Sequence, residues 1–564
     1  MIMKSIRNFN LRNLIFRKEM ISLAVCTVFI SGFISCKDYL EEKPITAYSA
    51  AQFYDSPKKL NSAVLGVYDA LASRELFGTN IVLLGADTDI EILRNTTVTG
   101  ALGTIEEIGH YNTKDKSTPV ETMWGEFYGA LNIANSVIKN GSKVPAESEE
   151  DKKTVKKYLA EAKAMRAFIY TNIVIRWGDV PLRTEPSDLS QNLALPRTPR
   201  ADIYAQIIKD FEEAIPDLPW HDDKDADLGR INKGAAMALY TRALLFAGGY
   251  SLYQDGTIKR ANNYRDYYEK AKVVTEQLIT SGKHSLNPSF ENVFKNICGN
   301  ILEPRESMFE IDMAYLYGQS RHAGSIGVTS SGVAVTNHSA LYNTRPKMFT
   351  HYYLYNKFDP KDTRRGVSIA TYTLDGPKFT EKPIPVASSS TWSCAKWRRS
   401  WHTSIPTNFS LSDVNFVVIR YAEVLLMRAE ILNELNGSPT TEAIGLVNDV
   451  RKRGYGANLS GNNADVPIQF TANKDVFLDF ITEEYAREFY GESNRKFDLI
   501  RWNLLGKRIG EMAKIFDDPT TKAFHGLKVY LAGQLFKSGK HELFPIPYRE
   551  IVESNGALTQ NYGY

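Results

Sequence analysis

Four carboxylates crowd one short stretch of this 564-residue chain: Glu483, Glu484, Glu488 and Glu492, within ITEEYAREFYGESNRKFDLIRW (481–502). Two carboxylates placed across a glycosidic bond are what a glycoside hydrolase requires. Here Arg487, Arg495, Asp498 and Arg501 stand among them, and acids interleaved with guanidinium groups on one helix read as an internal ion-pair network. No GxSxG elbow, HExxH pair or phosphate loop is present, and Gly324-Ser325-Ile326-Gly327 lacks the strand–helix setting of a nucleotide loop. No Cys/His cluster has zinc spacing. The expectation is a chain with no catalytic residue, no metal and no cofactor.

Aromatic side chains offer a second chemistry. Trp392, Trp397 and Trp401 place three of the seven tryptophans within ten residues, with Lys396, Arg398 and Arg399 between them. The apolar faces of sugar rings stack on such side chains, so each is a candidate ligand contact, the other reading being packing beneath the loop. Tyr315, Tyr317 and Tyr342 are similar candidates, with Asn337 and Gln319 as partners for hydroxyls. Asp87, Asp89, Glu91 and Arg94 form a charged group after an apolar run. A carboxylate and a guanidinium together can bind vicinal hydroxyls or can pair with each other, and both readings stay open.

These residues need a scaffold. NFVVIRYAEVLLMRAEILNELNG (415–437) sets Val418, Tyr421, Ala422, Leu425, Ala429 and Leu432 at helical spacing on one face. Arg420, Glu423, Glu430 and Glu434 fall largely away from that face, and Gly437 sits where a helix stops. A shorter helix follows, with Ala443, Leu446 and Val450 inward. Upstream, the same spacing predicts helices through Leu60–Leu71, Trp124–Ile138, Tyr158–Ile173, Ile203–Ala214, Ala236–Phe246 and Tyr267–Leu278. About eight helices in adjacent pairs, none able to bury its apolar face alone, mark a helical repeat. From about Lys283 to Asn415 the periodicity disappears and Gly, Ser, Thr and aromatics rise. An ordered, loop-rich region is expected there.

The N-terminus reads as an export signal: a basic segment (Lys4 to Lys18) precedes the apolar run Met20–Ile34. That run is short for a membrane span, which needs about 20 apolar residues. Cys36 stands where a lipoprotein signal would leave an N-terminal cysteine for acylation, followed by the acidic tether Lys37-Asp38-Tyr39-Leu40-Glu41-Glu42. Residues 1–35 hold five basic residues against Glu19, which more than accounts for the formal charge of +3. No long basic run follows, so nucleic acid is not an expected partner. Of the remaining cysteines, Cys298 and Cys394 are free to pair or not.

Three segments, IRYAEVLLMRAEILNELN, EEYAREFYGESNRKFDLIRW and LFPIPYREIVESNGALTQNYGY, occur in the order seen in the SusD/RagB family of surface glycan-binding lipoproteins, which this chain resembles over essentially its whole length. The resemblance implies a mostly α fold of about four tetratricopeptide-like helix pairs carrying a loop-rich ligand region. It implies a lipoprotein anchored in the outer membrane at the cell surface through Cys36. Its role would be to bind oligosaccharide without processing it and to deliver it to a SusC-like TonB-dependent transporter. The RagB branch implies the alternative of a peptide ligand. No tryptophan lies in 87–100, a departure from a starch-type aromatic cradle. The expected organisation is signal (1–35), acylated cysteine and tether (36–55), N-terminal repeats (56–282), loop-rich insertion (283–414) and C-terminal repeat helices (415–564).

Overall fold

The computed structural model describes residues 54–93, 105–187, 194–314, 322–404, 410–521 and 530–564. The export signal, Cys36 and the tether lie outside these residues, as do Arg94, Tyr315, Tyr317 and Gln319.

The longer helices are α1 (Pro57–Leu71), α2 (Thr118–Gly141), α3 (Glu149–Trp177), α4 (Arg200–Ala214), α5 (Lys233–Gly248), α6 (Tyr264–Thr280), α7 (Phe290–Cys298), α8 (Tyr421–Asn436), α9 (Thr441–Tyr455), α10 (Lys474–Phe489), α11 (Arg495–Arg501), α12 (Leu505–Asp517) and α13 (Tyr548–Glu553). Short strands run between and among them: β1 (Glu91–Leu93), β2 (Ser307–Ile311), β3 (Val335–Thr336), β4 (Met348–Thr350), β5 (Tyr372–Asp375), β6 (Thr380–Pro383) and β7 (Phe416–Arg420). Each of α1 to α5 packs on the next in the chain, α6 packs on α8, and α8 on α9 and α10. This mostly α, tetratricopeptide-like scaffold stacks neighbour on neighbour, so each amphipathic helix buries the face its predecessor leaves open.

Local chemistry sets the ends. Ser148 accepts a hydrogen bond from the Asp151 amide at 3.0 Å while Asp151 reaches back to Ser148, a capping box that starts α3 with three acids in its first turn. The Asn232 side chain caps α5 through the Ala235 amide at 3.0 Å. Gly437, at φ 70°, closes α8 in the left-handed conformation a side chain resists. At the chain's end, the Trp177 indole N–H donates to the Pro545 carbonyl at 3.1 Å, and the Asn561 amide donates to the Trp177 and Phe544 carbonyls. The LFPIP segment therefore straps onto the C-terminal end of α3.

Two expectations for 415–437 change. The helix begins at Tyr421; Phe416–Arg420 is a strand paired antiparallel with β2 and buried along its whole length. Three consecutive β-branched residues, Val417 to Ile419, favour that pleated setting once β2 supplies a partner. The charged side of α8 is also internal: Arg420, Glu423, Glu430 and Glu434 are all buried. The spacing placed apolar residues correctly but could not show that other helices would cover the opposite face.

Among the described residues no helix is long and apolar enough to cross a membrane. Cys298 and Cys394 are both buried free thiols. Burial pushes Cys394 up to about 12 and Cys298 higher still, so neither is a reactive thiolate.

Candidate functional site: a loop-borne aromatic surface above a buried ionic core

Glu484 and Glu488 of α10 and Glu492 of its following turn lie within an ionic core, while the half-buried Glu483 pairs with Lys357 and Arg508. Arg420 donates to Glu488 at 2.9 Å, to Glu306 at 3.0 Å and to Glu492 at 2.8 Å. Arg453 bridges Glu306 and Glu488, Arg364 bridges Glu484 and Glu488, and Lys396 reaches Glu492 at 2.6 Å. Burial alone would raise Glu488, but the guanidinium groups of Arg453, Arg420 and Arg364 hold it down to about 2. The same balance drives Glu484 well below the usual carboxylate range. A retaining or inverting pair needs one carboxyl kept protonated and room for sugar between the two. These side chains are sealed from solvent and held ionised, so this set is the internal network its sequence indicated.

Asp87 and Asp89 are not surface contacts. Asp87, in a left-handed backbone conformation at φ 54°, accepts from the Leu93 amide at 2.9 Å and pairs with His110. Asp89 takes a two-pronged bond from Arg495 at 2.8 and 2.6 Å; burial opposes its ionisation, but Arg495 wins and holds it at about 2. Both carboxylates are consumed in pinning the segment that leads into β1. The partner that settles the role of Asp89, Arg495, lies some four hundred residues away in the chain, out of reach of any local pattern.

The tryptophans divide. Trp397 is 1% exposed, packs edge-on against Phe294 and donates its indole N–H to the Gly491 carbonyl at 2.9 Å. Trp392 is 2% exposed, lies against Tyr352 and Tyr355, and donates to the Ile384 carbonyl. Neither ring is available to a sugar; both are core beneath the loop. Trp401 is half-buried, with the Arg398 guanidinium 4.2 Å and the Lys295 ammonium 5.5 Å from its ring centre.

Tyr342 and Asn337 come together on the same loop-rich region. The His338 ring stacks on Tyr342 (centroids 4.3 Å apart, 25° between planes) and on Phe379 (5.2 Å, 29°). Asn337 donates to Asp375 at 2.6 Å from the exposed end of β3. Beneath lies a small sheet, β3 parallel to β5 and β5 antiparallel to β6, seated on Val333, Val335, Ala370, Leu374 and Ala395, with Tyr372 and Phe379 packed at its margin. Asn337 and Phe379 both hold positive φ, 53° and 50°. Such conformations persist only where the surroundings impose them, and they cluster at binding surfaces. Arg399 lies 5.6 Å from the Tyr342 ring centre and its neighbour Arg398 covers Trp401, so consecutive residues tie the two aromatic groups together. Such a surface can stack an apolar ring face while presenting amide, carboxylate and guanidinium groups at its edge. His338, Phe379 and Asp375 escaped sequence reasoning because their neighbours arrive from a separate hairpin.

Residues 307–564 match a family model described as "SusD family", and residues 38–245 match one described as "Starch-binding associating with outer membrane". The chain is 25% identical over 563 residues to the SusD-like protein P25 of Formosa agariphila, covering 94% of this chain and 96% of that protein. A crystal structure of a SusD homolog from Bacteroides thetaiotaomicron superposes with a TM-score of 0.82 at 27% identity, covering 91% of this chain and 98% of that one. Surface glycan-binding protein A from Bacteroides thetaiotaomicron, in complex with laminarihexaose, shares the fold at a TM-score of 0.65 and 19% identity, covering 89% and 99%.

Proposed function

This chain belongs to the SusD family, and from that premise we propose that it is a carbohydrate-binding protein of the outer-membrane surface, capturing oligosaccharide without cleaving it and passing it to a TonB-dependent transporter. The observation that carries the proposal is the half-buried aromatic surface built by His338, Tyr342 and Phe379 over the β3–β5–β6 sheet, with Trp401 joined to it through Arg398 and Arg399. The family description of starch binding in association with the outer membrane supports the ligand class and the location. Tyr342 and Trp401 supply stacking faces, and Asn337 with Asp375 supplies hydroxyl partners. Arg94, Tyr315 and Tyr317 stay in the proposal as candidate contacts outside the described residues. Cys36 is proposed as the lipid anchor; two or more acyl chains there hold a protein at a membrane stably. Tethering raises the local concentration of a weak, shallow site and so offsets its low affinity.

The test is affinity electrophoresis of residues 37–564 through gels containing starch, laminarin and a panel of plant and host polysaccharides. Retardation by one of them, lost in Tyr342→Ala or Trp401→Ala, supports the reading. No retardation on any gel, together with binding of extended peptides, overturns it in favour of a peptide ligand.

A further inference from the structure

A cleft of about 430 Å³ opens on the helical side of the protein, and none of its lining residues belongs to the loop-rich region. Its wall is α2, where Trp124 and Tyr128, one turn apart, stand with ring centroids 4.9 Å apart at 38°. The opposite wall holds Pro181, Arg183, Glu185 and Ser187 with Ala194 and Leu195, and α13 closes the end. The walls are fixed by hydrogen bonds. Tyr128 donates to the Pro181 carbonyl at 2.8 Å, Asn135 donates to the carbonyls of Arg183 and Glu185, and Asn132 accepts from the Ser187 amide at 2.7 Å. Glu550 takes a hydrogen bond from Trp124 at the closed end.

The α2 surface facing this cleft is unusual for a helix. Gly125 lines the opening and Gly129 lies one turn along; both are exposed, and a Cβ at either position would meet nothing within 4 Å. Each interior helix glycine costs about 1 kcal/mol relative to alanine. Among the described residues no packing contact requires their lack of a side chain, and what that lack leaves is open space beside Tyr128.

We propose that this cleft is a second saccharide-binding site, separate from the loop surface, taking one or two rings of a neutral oligosaccharide. The volume lies within the range of ligand sites, about 300–1,000 Å³. The lining combines the half-buried Tyr128, backed by the buried Trp124, with a guanidinium (Arg183), an amide (Asn132) and carboxylates (Glu550, Glu553). Charge does not dominate it, because Glu553 is already paired with Arg549 at 2.6 Å and Glu185 with Lys139 at 2.9 Å. A polyhydroxylated neutral ring, with one apolar face and hydroxyls at its edge, matches a mixed-sign polar rim beside tyrosine better than an ion does. The proposal rests on the carbohydrate reading above, and its use would be to hold a second stretch of one chain or a second chain, raising avidity.

The test uses the polysaccharide that retards the protein in the gels above, with a short oligosaccharide of the same linkage for calorimetry. Gly125→Gln plugs the opening without a steric clash and improves the helix, so a loss of folding is not expected; Gly125→Ala serves as the short control. About two ligands should bind per chain, falling to about one in Gly125→Gln and staying at about two in Gly125→Ala. The double variant Tyr342→Ala/Trp401→Ala should keep residual binding that Gly125→Gln then removes. Complete loss of binding in the double loop variant, or binding untouched by Gly125→Gln, overturns the second site while leaving the first reading intact. Absence of binding to any polysaccharide overturns both.

Discussion

Arg420 and Glu488, 68 residues apart in the chain, meet at 2.9 Å with neither side chain reaching solvent. Arg420 leaves the end of β7 and Glu488 leaves the last turn of α10, so this pair joins the two sequence segments that best identify the family. Around it Glu306, Arg453, Arg364, Glu492 and Lys396 complete a network in which each charge has a partner of opposite sign.

Breaking that network from one side should be costly. Glu488→Gln leaves Arg364, Arg420 and Arg453 short of a buried counter-charge, and losing one member of such a pair costs about 3–5 kcal/mol. Urea titration should show the midpoint fall with little change of slope. An unchanged midpoint would mean that the ionic core contributes nothing to holding the fold.

Two buried carboxylates should give opposite pH signatures. Glu488 is held at about 2 in the folded protein against the 4.5 of a free glutamate, so its contribution is fully present above pH 4.5 and is lost as the pH falls towards 2. Burial instead pushes Glu91 up to about 8, so it favours the folded state most below pH 4.5 and loses that effect as the pH rises to 8. Urea midpoints measured from pH 3 to pH 9 should therefore fall at the acid end in a Glu488-dependent way, and Glu91→Gln should flatten the slope between pH 4.5 and pH 8. A Glu91→Gln curve parallel to that of the parent protein would rule out the second effect.

Binding and folding should separate among the aromatics. Trp397→Ala empties a core position and should cost about 3–5 kcal/mol, lowering the melting temperature. Tyr342→Ala and Trp401→Ala, at half-buried positions, should leave the melting temperature nearly unchanged and weaken polysaccharide retention. If Trp397→Ala folds as stably as its parent, its assignment as core is wrong.

The end of α8 offers a backbone test. Gly437 holds φ 70° with nothing within 4 Å of where a Cβ would stand. Gly437→Ala meets no clash, yet it should cost about 1 kcal/mol through conformation alone. A neutral or stabilising result in thermal melts would show that the last turn relaxes out of the left-handed conformation.

The proposed anchor is checked by mass and by partitioning. Cys36→Ser should abolish acylation, leave the chain without the mass of its lipid, and move it from the detergent phase to the aqueous phase. Continued detergent partitioning would place the membrane attachment elsewhere.

The sequence alone determined what depends on neighbours a few residues away. The 3.6-residue spacing located the helices from α1 to α6, because the apolar stripe that pairs them is written locally. Residue chemistry at helix ends located stops such as Gly437. The mixing of arginine with glutamate in 481–502 marked an ion-pair network, since those charges must be matched wherever they are buried. Three motifs in order carried the family. The tertiary structure alone decided which residues of a given type are exposed. Trp392, Trp397 and Trp401 lie within ten residues of one another, yet the Ile384 and Gly491 carbonyls claim the first two indoles and only Trp401 of the three keeps open surface. Asp87 and Asp89 read as a loop-borne charged group until His110 and Arg495 arrive from distant segments. The rings that build the proposed binding surface come from separate hairpins, His338 and Tyr342 from one and Phe379 from another. Local periodicity records which side of an element is apolar, whereas exposure depends on what the rest of the chain brings to the other side.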